Sequence, residues 1–534
     1  MSTIRNFFLK PWLYIIIVLV GTALKFYHLD SKLFWMDEVS SVLYTSGANE
    51  SNIQQIIPVN QIKTFDYYNS FLHAKSKPQS FKNELTGVLS GTHLTPAHYI
   101  FLSFWYRLVG DENLDYRLFS VFIFIISLPF IFLLAKNLFD TNLAGWIAIS
   151  LYAVSPFIQF EAQEARYYML WVFFFVLTNY LFLHAIKQKK TVWWIAYSIA
   201  AILSLYISIT SGAFIVGHLV YILMFQKKLR LQFLVCLLFI GLAYLPWMYF
   251  LFTRSQDIES GLSWHKFLAS SLFPYDLLFY QLIGFVRQFV YLFDYDLYHL
   301  LFTGTITNQM YPVLIIDLAV LAVIIYSIYY LLAKSSKWIR WFLILIILPL
   351  VCLFLVSDII RHTGSSMLWR YQMVNMAGIS FIVTNLLKDK IQQGKLLFVG
   401  LYMGLIFLGL ASILEITSNL CWNTSPNCEP NMEEAQLISQ AGHPLIITDF
   451  NGAGISNFLA VLNKSKAKTA DIIYGKGILT NLKLNIAGKG YSDIYVLEAS
   501  DSLTQQVKLQ FGESMLPLRK DMNMFTPQIW HIKL

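Results

Sequence analysis

The sequence predicts a polytopic α-helical membrane protein with about 11 transmembrane helices, outer-face interfacial helices and a small C-terminal extracytoplasmic α/β domain. Of its 534 residues, 57% are hydrophobic and 13% charged, whereas soluble proteins average about 25% charged residues. Apolar runs of the roughly 20 residues that a bilayer span needs recur from residue 11 to residue 416. Beyond residue 430, short apolar runs alternate with segments of helical period, which is typical of an α/β unit.

The basic loops fix a topology. Short loops rich in Lys and Arg are cytoplasmic, and such loops occur at 188–190, 226–230, 333–340 and 388–395. If all of them are inside, eleven crossings satisfy every loop. The first run is too long for a signal-peptide core and lacks a small-residue cleavage site, so it is a retained span. The predicted spans are 11–29, 116–136, 142–160, 167–186, 192–209, 211–226, 231–252, 310–333, 341–357, 371–387 and 396–416.

This topology needs the segment His93–Gly110 to stay on the outer face. Its apolar part is about 14 residues, which is too short to cross a bilayer. The segment begins near a proline and is rich in aromatic residues, so we interpret it as an interfacial helix. The outer face then also receives loops at 30–115 and 254–309 and the tail beyond 417.

The predicted domains are 1–230, 231–416 and 417–534. The first is a catalytic membrane module that includes the loop 30–115; the second adds further transmembrane helices; the third is the extracytoplasmic α/β domain. In the third, strands are expected at Pro444–Phe450, Asp471–Gly475 and Asp493–Ala499. Glycines 452 and 454 are too weak a signal for a phosphate loop, and a turn between strand and helix is favoured. Cys421 and Cys428 form a disulfide if they face an oxidising compartment.

Acids and bases gather on the predicted outer face. Such a mixture suits chemistry on a lipid-linked anion, with arginines binding phosphate and a carboxylate handling a proton. The histidine and cysteine spacings match no zinc motif, so no cofactor is expected, although a divalent metal is not excluded. The candidates are Asp37, Glu38, His93, His98, Arg117, Glu161, Glu164, Arg166, Arg361, His362 and Arg370.

Each candidate also has a structural interpretation. Asp37 and Glu38 are an acidic pair at a span end, which is usually a solvated flank. The acids before Arg166 suit a helix N-terminus, and Arg370 suits a snorkelling side chain. Spacing alone does not decide between these interpretations and a functional one.

Several stretches together resemble a known family. They are LFWMDE (residues 33–38), HLTPAHY (93–99), GDENLDYRLFS (110–120) and SPFIQFEAQEARYYML (155–170). The chain resembles the GT-C superfamily of integral-membrane glycosyltransferases, in the glycosyltransferase family 39 and aminoarabinose-transferase-like group, which is related to protein O-mannosyltransferases. The resemblance is good over residues 11–230, looser over 231–416 and weak over the tail. HLTPAHY departs from the family pattern, with one proline lost and His98 at a tyrosine position.

The resemblance implies roles for individual residues. Asp37 matches the acid of the first-loop motif and is the expected catalytic base. Glu164 and Arg166 match the acid and arginine of the second motif, and Arg117 matches the arginine after the interfacial helix. Glu164 is the second expected catalytic residue. The expected substrate-binding residues are Glu38, His93, Arg117, Arg166, Arg361, Arg370 and Tyr371.

The expected activity follows from the resemblance. It is transfer of a sugar from a polyprenyl-phosphate-linked donor to a protein, lipid or glycan acceptor, with inversion, at the outer face of the plasma membrane. Membrane lipids are expected partners, and nucleic acid is not, because the cations cluster at span ends. The alternative is a transporter or flippase of a lipid-linked or soluble solute. Polar or Gly/Pro-broken segments at mid-membrane would favour that alternative.

Overall fold

The structure of the full chain is a computed structural model. It describes residues 10–48, 50–76, 80–90, 95–254, 275–292, 310–421, 428–450, 454–477, 482, 486, 488–518 and 529–533. The chain forms two compact units. The membrane unit comprises Met1–Leu29, Thr92–His98 and Arg117–Ser418, and the α/β unit comprises Asp30–Gly91, Tyr99–Tyr116 and Asn419–Leu534.

The helices and strands are numbered along the chain. The α-helices are α1 (Pro11–Phe26), α2 (Met36–Thr45), α3 (Glu50–Ile56), α4 (Phe65–Asn69), α5 (Phe81–Ser90), α6 (Ala97–Leu108), α7 (Asn113–Phe139), α8 (Asn142–Ala153), α9 (Pro156–Ala162), α10 (Tyr168–Gln188), α11 (Thr191–Ile207), α12 (Gly212–Phe225), α13 (Arg230–Thr253), α14 (Tyr275–Arg287), α15 (Met310–Lys334), α16 (Lys337–Arg361), α17 (Met373–Gln392), α18 (Leu396–Ser418), α19 (Cys428–Gln440), α20 (Gly454–Ser465) and α21 (Asp501–Phe511). The strands are β1 (Ile62–Thr64), β2 (Pro444–Thr448), β3 (Asp471–Tyr474), β4 (Asp493–Val496), β5 (Met515–Pro517) and β6 (Trp530–Lys533).

Every predicted span contains helix. Within the described residues, six helices are long and apolar enough to cross a membrane: α7, α10, α13, α15, α16 and α18. The pair α8–α9 makes a seventh if it is one bent span, and α1, α11 and α12 are shorter apolar helices. The multi-pass helical class is confirmed, and the count of eleven crossings stays a prediction.

Helix α17 shows why the number of membrane spans cannot be counted from helix length and apolarity alone. It packs against α8, α15 and α16, and its polar residues Asn375, Thr384 and Asn385 are buried among them. A helix covered by other helices tolerates polar side chains that lipid would not. Close packing recurs at Gly217 on α12, where a Cβ atom would lie 1.8 Å from the carbonyl oxygen of Leu345 on α16.

The predicted span 142–160 is broken rather than straight. Helix α8 ends at Ala153, and α9 starts at Pro156 with a bend of 62° between the two helices. The Ser155 side chain accepts a hydrogen bond from Ile158 N at 3.4 Å, and Pro156 occupies the first helical turn. A serine cap followed by proline is a helix-start signal. The break directs the chain from α9 into the QEARYY segment (residues 163–168).

The α/β unit is built on a six-stranded sheet with the order β1-β3-β2-β4-β6-β5. Strands β3, β2 and β4 are parallel, and the other neighbouring pairs are antiparallel. The central strand β2 is buried along its whole length, as its continuous apolar sequence predicts. Residues 451–453, where a turn was predicted, lie outside the described residues, and helix α20 begins at Gly454.

The first loop and the tail belong to the same unit, which differs from the predicted division at residue 417. Strand β1 comes from the first loop and pairs antiparallel with β3, with Ile62 opposite Ile473. Helix α2 packs on α20, and the Ser40 hydroxyl donates to the Ser456 hydroxyl at 3.0 Å. In the same unit, Cys421 and Cys428 are joined in a disulfide. The predicted loop 254–309 also contains a helix, α14.

Candidate functional site

The QEARYY segment is held on the end of helix α1 by side-chain amides. Gln159 Nε2 donates to the carbonyl oxygen of Leu24 at 3.0 Å. Gln163 Nε2 donates to the carbonyl oxygens of Lys25 and Tyr27 at 3.0 and 2.9 Å. The last carbonyl groups of a helix have no partner within the helix. The two glutamines therefore satisfy the end of α1 and fix the segment that follows α9.

Further hydrogen bonds stabilise the contact between the end of α1 and the QEARYY segment. Arg117 is fully buried, and its Nη1 donates to the carbonyl oxygen of Leu29 at 2.8 Å. Ser120 Oγ donates to the backbone oxygen of Glu164 at 2.5 Å, and Lys25 Nζ donates to Gln159 Oε1 at 2.8 Å. Arg117 thus has a structural role at the α1 end, and its predicted role in substrate binding stays a prediction.

Two arginines stack on two neighbouring tyrosine rings. The Tyr167 and Tyr168 ring centroids lie 4.1 Å apart. The Arg166 guanidinium lies 5.8 Å from the Tyr167 centroid, and the Arg370 guanidinium lies 5.7 Å from the Tyr168 centroid. Stacking orients a guanidinium while its N–H groups still point outward in its plane. We call Arg166, Tyr167, Tyr168, Arg370 and Tyr371 the paired-arginine site.

Tyr371 completes this site from the loop between α16 and α17. Its ring stacks on Phe354 with centroids 5.9 Å apart and an interplanar angle of 15°, and it lies 6.4 Å from the Tyr168 ring. The neighbouring Trp369 packs against Phe157 of α9 at 5.2 Å. Aromatic contacts on both sides of Arg370 therefore fix the turn that carries it.

His98 lies beside the site as a neutral group. Its ring contacts Phe119 and Tyr167 at centroid distances of 5.9 and 6.5 Å. Burial, and next the Arg166 charge, lower the pKa of His98 to about 3, although a hydrogen bond with the Ala165 backbone opposes this shift. At neutral pH His98 therefore adds no positive charge beside Arg166.

Asp37 and Glu38 belong to the α/β unit and occupy the first turn of α2. Glu38 is fully buried, and its Oε2 accepts a hydrogen bond from Trp35 N at 3.4 Å. This back-bond to the residue before the helix is the glutamate half of a capping box. Asp37 is half-buried, and Ser41 Oγ donates to its backbone oxygen at 2.9 Å. The adjacent acids thus differ: Glu38 caps the helix, and Asp37 is the more accessible carboxylate.

The other predicted site residues are less informative. His93 lies outside the described residues. Arg361 is exposed at the last position of α16. Glu164 is buried beside Arg166 in sequence. Over the part of the chain that the structure describes, no three His, Cys, Asp or Glu side chains are grouped as metal ligands.

Some residues of the site were not predicted. The sequence reading used the acid and arginine of the QEARYY segment but assigned no role to its glutamine or its two tyrosines. Two adjacent tyrosines directly after an arginine were the available signal. Gln163 carried no signal of its own, because its partners are backbone carbonyls of a distant helix.

Residues 93–250 match the family described as dolichyl-phosphate-mannose-protein mannosyltransferase. Over this part of its length the chain is similar to that family of glycosyltransferases. The fold of the whole chain is similar to that of ArnT from Cupriavidus metallidurans. The crystal structure of that protein bound to undecaprenyl phosphate aligns with a TM-score of 0.50 and 12% identity, over 97% of this chain and 98% of ArnT.

Two further solved structures are similar to this chain. The structure of apo ArnT from the same organism gives the same TM-score of 0.50 and 12% identity, over 97% of each chain. The Archaeoglobus fulgidus oligosaccharyltransferase in complex with Zn and sulfate gives a TM-score of 0.47 and 14% identity, over 90% of this chain and 67% of that chain. No curated protein sequence gives a significant match.

Proposed function

We propose that this glycosyltransferase moves a sugar from a polyprenyl-phosphate-linked donor to an acceptor hydroxyl, with inversion. The paired-arginine site is the observation that carries the proposal. Two guanidinium groups held on adjacent tyrosine rings in the membrane unit suit a phosphate with a long apolar tail. The bound undecaprenyl phosphate in the ArnT structure supports the same class of ligand.

The chemistry of the donor explains why arginines are needed. When the bond between the anomeric carbon and the phosphate oxygen breaks, the electron pair leaves with the phosphate as an anion. The anion needs no proton, so stabilisation comes from fixed positive charge. Planar guanidinium groups bind phosphate oxygens bidentately, and Arg166 and Arg370 are the proposed pair. We place Glu164 next to them, holding an arginine or contacting the sugar.

Only the acceptor proton then has to be managed. As the acceptor oxygen bonds to the anomeric carbon, its proton passes to Asp37, and polyprenyl phosphate is released. A single displacement of this kind inverts the anomeric configuration. One carboxylate is enough, unlike glycoside hydrolysis, in which a general acid and a second carboxylate are both needed. If the acceptor is itself a phosphate group, Asp37 positions the sugar instead of accepting a proton.

We place the reaction at the outer face of the plasma membrane. The basic loops support an inward orientation of the opposite ends of the helices. The disulfide between Cys421 and Cys428 supports an oxidising environment for the α/β unit. The acceptor class is a protein, lipid or glycan.

The proposal is tested with purified protein in lipid and a panel of polyprenyl-phosphate sugars, following release of polyprenyl phosphate. We expect wild-type release that Asp37→Asn abolishes and that Asp66→Asn retains, since Asp66 is an exposed acid of the same unit. The anomeric configuration of the product reports inversion, and a chelator arm tests the expectation that no metal is required. Absence of release with every donor and with envelope acceptors added, or solute transport in its place, would contradict the proposal.

A further inference from the structure

A buried carboxylate anchors the loop that carries Arg370 and Tyr371. Asp358 lies in the last turn of α16 and is fully buried. Its Oδ1 accepts from Thr363 Oγ1 at 2.6 Å and from Ser365 N at 3.0 Å, and its Oδ2 accepts from Ser366 N at 2.6 Å. One side chain therefore holds the first residues of the loop against the end of the helix that precedes it.

The position of this acid is unfavourable for the helix alone. The C-terminal end of a helix carries partial negative charge, so an aspartate in the last turn is destabilising there. A buried carboxylate also has to be hydrogen-bonded to be tolerated. Both costs are offset by the three donors of the loop. His362, the residue after the helix, adopts the left-handed conformation (φ 52°), and this turn brings those donors back to Asp358.

Hydrogen bonds continue from the anchor to the paired-arginine site. Ser365 starts a 3-10 turn whose end is closed by a bond from Leu368 N to the Ser365 carbonyl oxygen at 3.2 Å. Tyr371 N then donates to the Leu368 carbonyl oxygen at 3.0 Å. These two bonds link the residues held by Asp358 to the turn Trp369–Gln372.

We propose that Asp358 is a positioning residue, whose carboxylate holds the loop so that Arg370 and Tyr371 are placed and oriented to bind the donor phosphate. This inference rests on the function proposed above. The carboxylate has two acceptor oxygens, and both are used. In Asp358→Asn one of them becomes an NH2 group that faces an N–H donor, so one contact turns repulsive while the size of the side chain is unchanged.

The anchoring is tested first without any ligand. Amide hydrogen exchange of residues 363–372 is compared between the wild type and Asp358→Asn in lipid. We expect faster exchange at Ser365 and Ser366 in the variant. Asp389→Asn is the matched control, because Asp389 is a half-buried acid of the same unit that bonds Lys388 and Tyr330 on α17 and α15. Unchanged exchange in the loop of Asp358→Asn would overturn the anchoring.

The effect on the site is tested by equilibrium binding of radiolabelled undecaprenyl phosphate. We expect Asp358→Asn to raise Kd about tenfold, because hydrogen bonds to a charged group are lost. Thr363→Val should raise it less, since both backbone donors remain, and Asp389→Asn should leave it unchanged. Partial unfolding would lower the number of binding sites without changing Kd, so the two effects are separable.

The outcomes distinguish this inference from the function on which it rests. If the wild type binds undecaprenyl phosphate and Asp358→Asn binds it with the same Kd, the positioning role is wrong and the proposed function stands. If the wild type does not bind undecaprenyl phosphate, the donor assignment fails, and the positioning role fails with it even where the exchange result holds.

Discussion

Two clusters of buried polar side chains, one in each compact unit, form different kinds of hydrogen bond. In the membrane unit, Gln159, Gln163 and Arg117 donate to backbone carbonyls at the end of α1. In the α/β unit, Asn457 Nδ2 donates to Glu498 Oε1 at 2.5 Å, and Asn431 Nδ2 donates to Asn457 Oδ1 at 2.6 Å. Side chains therefore bond the backbone at the end of α1 and bond one another in this cluster of the α/β unit.

The difference follows from the surroundings of each unit. The last carbonyl groups of a helix have no partner within the helix, so buried ones need a partner from elsewhere in the protein. In the α/β unit the strands of the sheet bond one another's backbone groups. A polar residue in a membrane-protein motif should therefore be tested first as a backbone partner. By that test Gln163 and Arg117 are backbone partners, whereas Arg166 and Arg370 stack on aromatic rings.

The largest expected effect separates two adjacent acids of the α/β unit. Asp37→Asn should lower kcat by about 10²–10⁴-fold, as loss of a general base does. Glu38→Gln should change kcat by less than about tenfold, because a glutamine also forms the capping box. Turnover of the same donor by both variants, at equal amounts of folded protein, is the measurement. An equal loss of kcat in both variants would contradict the assignment of Asp37 as the catalytic base and Glu38 as the helix cap.

The next largest effect is expected from removing the hydrogen bonds that Gln163 donates to backbone carbonyl groups. Gln163→Leu removes the donor to the buried carbonyl of Lys25 and to the part-buried carbonyl of Tyr27, and should cost roughly 1–3 kcal/mol of stability for the one buried group left unsatisfied. Gln393→Leu, at an exposed glutamine after α17, should cost almost nothing. Thermal unfolding in detergent measures both. A stable Gln163→Leu protein would show that water or lipid headgroups replace the amide, and the contrast between the units would weaken.

A smaller effect is expected where an arginine is stacked rather than bonded to the backbone. Arg370→Lys keeps the charge but loses the planar fork that binds phosphate bidentately, so the KM for the donor should rise by about tenfold. Arg254→Lys is the matched control, because Arg254 also stacks on a ring, that of Phe250, at 4.6 Å. A rise in KM of the same size for Arg254→Lys would mean that arginine stacking in general, rather than the paired-arginine site, is being measured.

Much of the fold could be predicted because its signals are local. Apolar runs predicted each membrane helix, and alternating short runs predicted β2, β3 and β4. Strand β1 could not be predicted, since three residues carry no period and its partner lies far along the chain. The break at Ser155–Pro156 was visible as a cap followed by proline, but the apolar run around it favoured one straight span.

The site was predicted in its residue types and not in its geometry. Arg166 and Arg370 were named from motifs, but their stacking on Tyr167 and Tyr168 depends on two loops meeting in three dimensions. Asp358 was missed because it lies just past the predicted span 341–357, and its partners follow only after the chain has turned at His362. An acid in the last turn of a helix, followed by Thr, Gly and Ser, is the pattern to look for.

A final expected effect is a pH dependence of stability that comes from His98. Because the pKa of His98 is about 3 in the folded protein and about 6.5 when unfolded, the unfolded chain binds the proton first. The free energy of unfolding is therefore unaffected by His98 above pH 6.5. Below that pH it falls by about 1.4 kcal/mol per pH unit, which amounts to roughly 2 kcal/mol at pH 5. His98→Phe keeps a ring between Phe119 and Tyr167 but removes the titration. The drop in Tm between pH 7.5 and pH 5 should accordingly be smaller in the variant than in the wild type. An equal drop in both proteins would mean that His98 is protonated in the folded state, which would add a third cation to the paired-arginine site and change the charge available to the leaving phosphate.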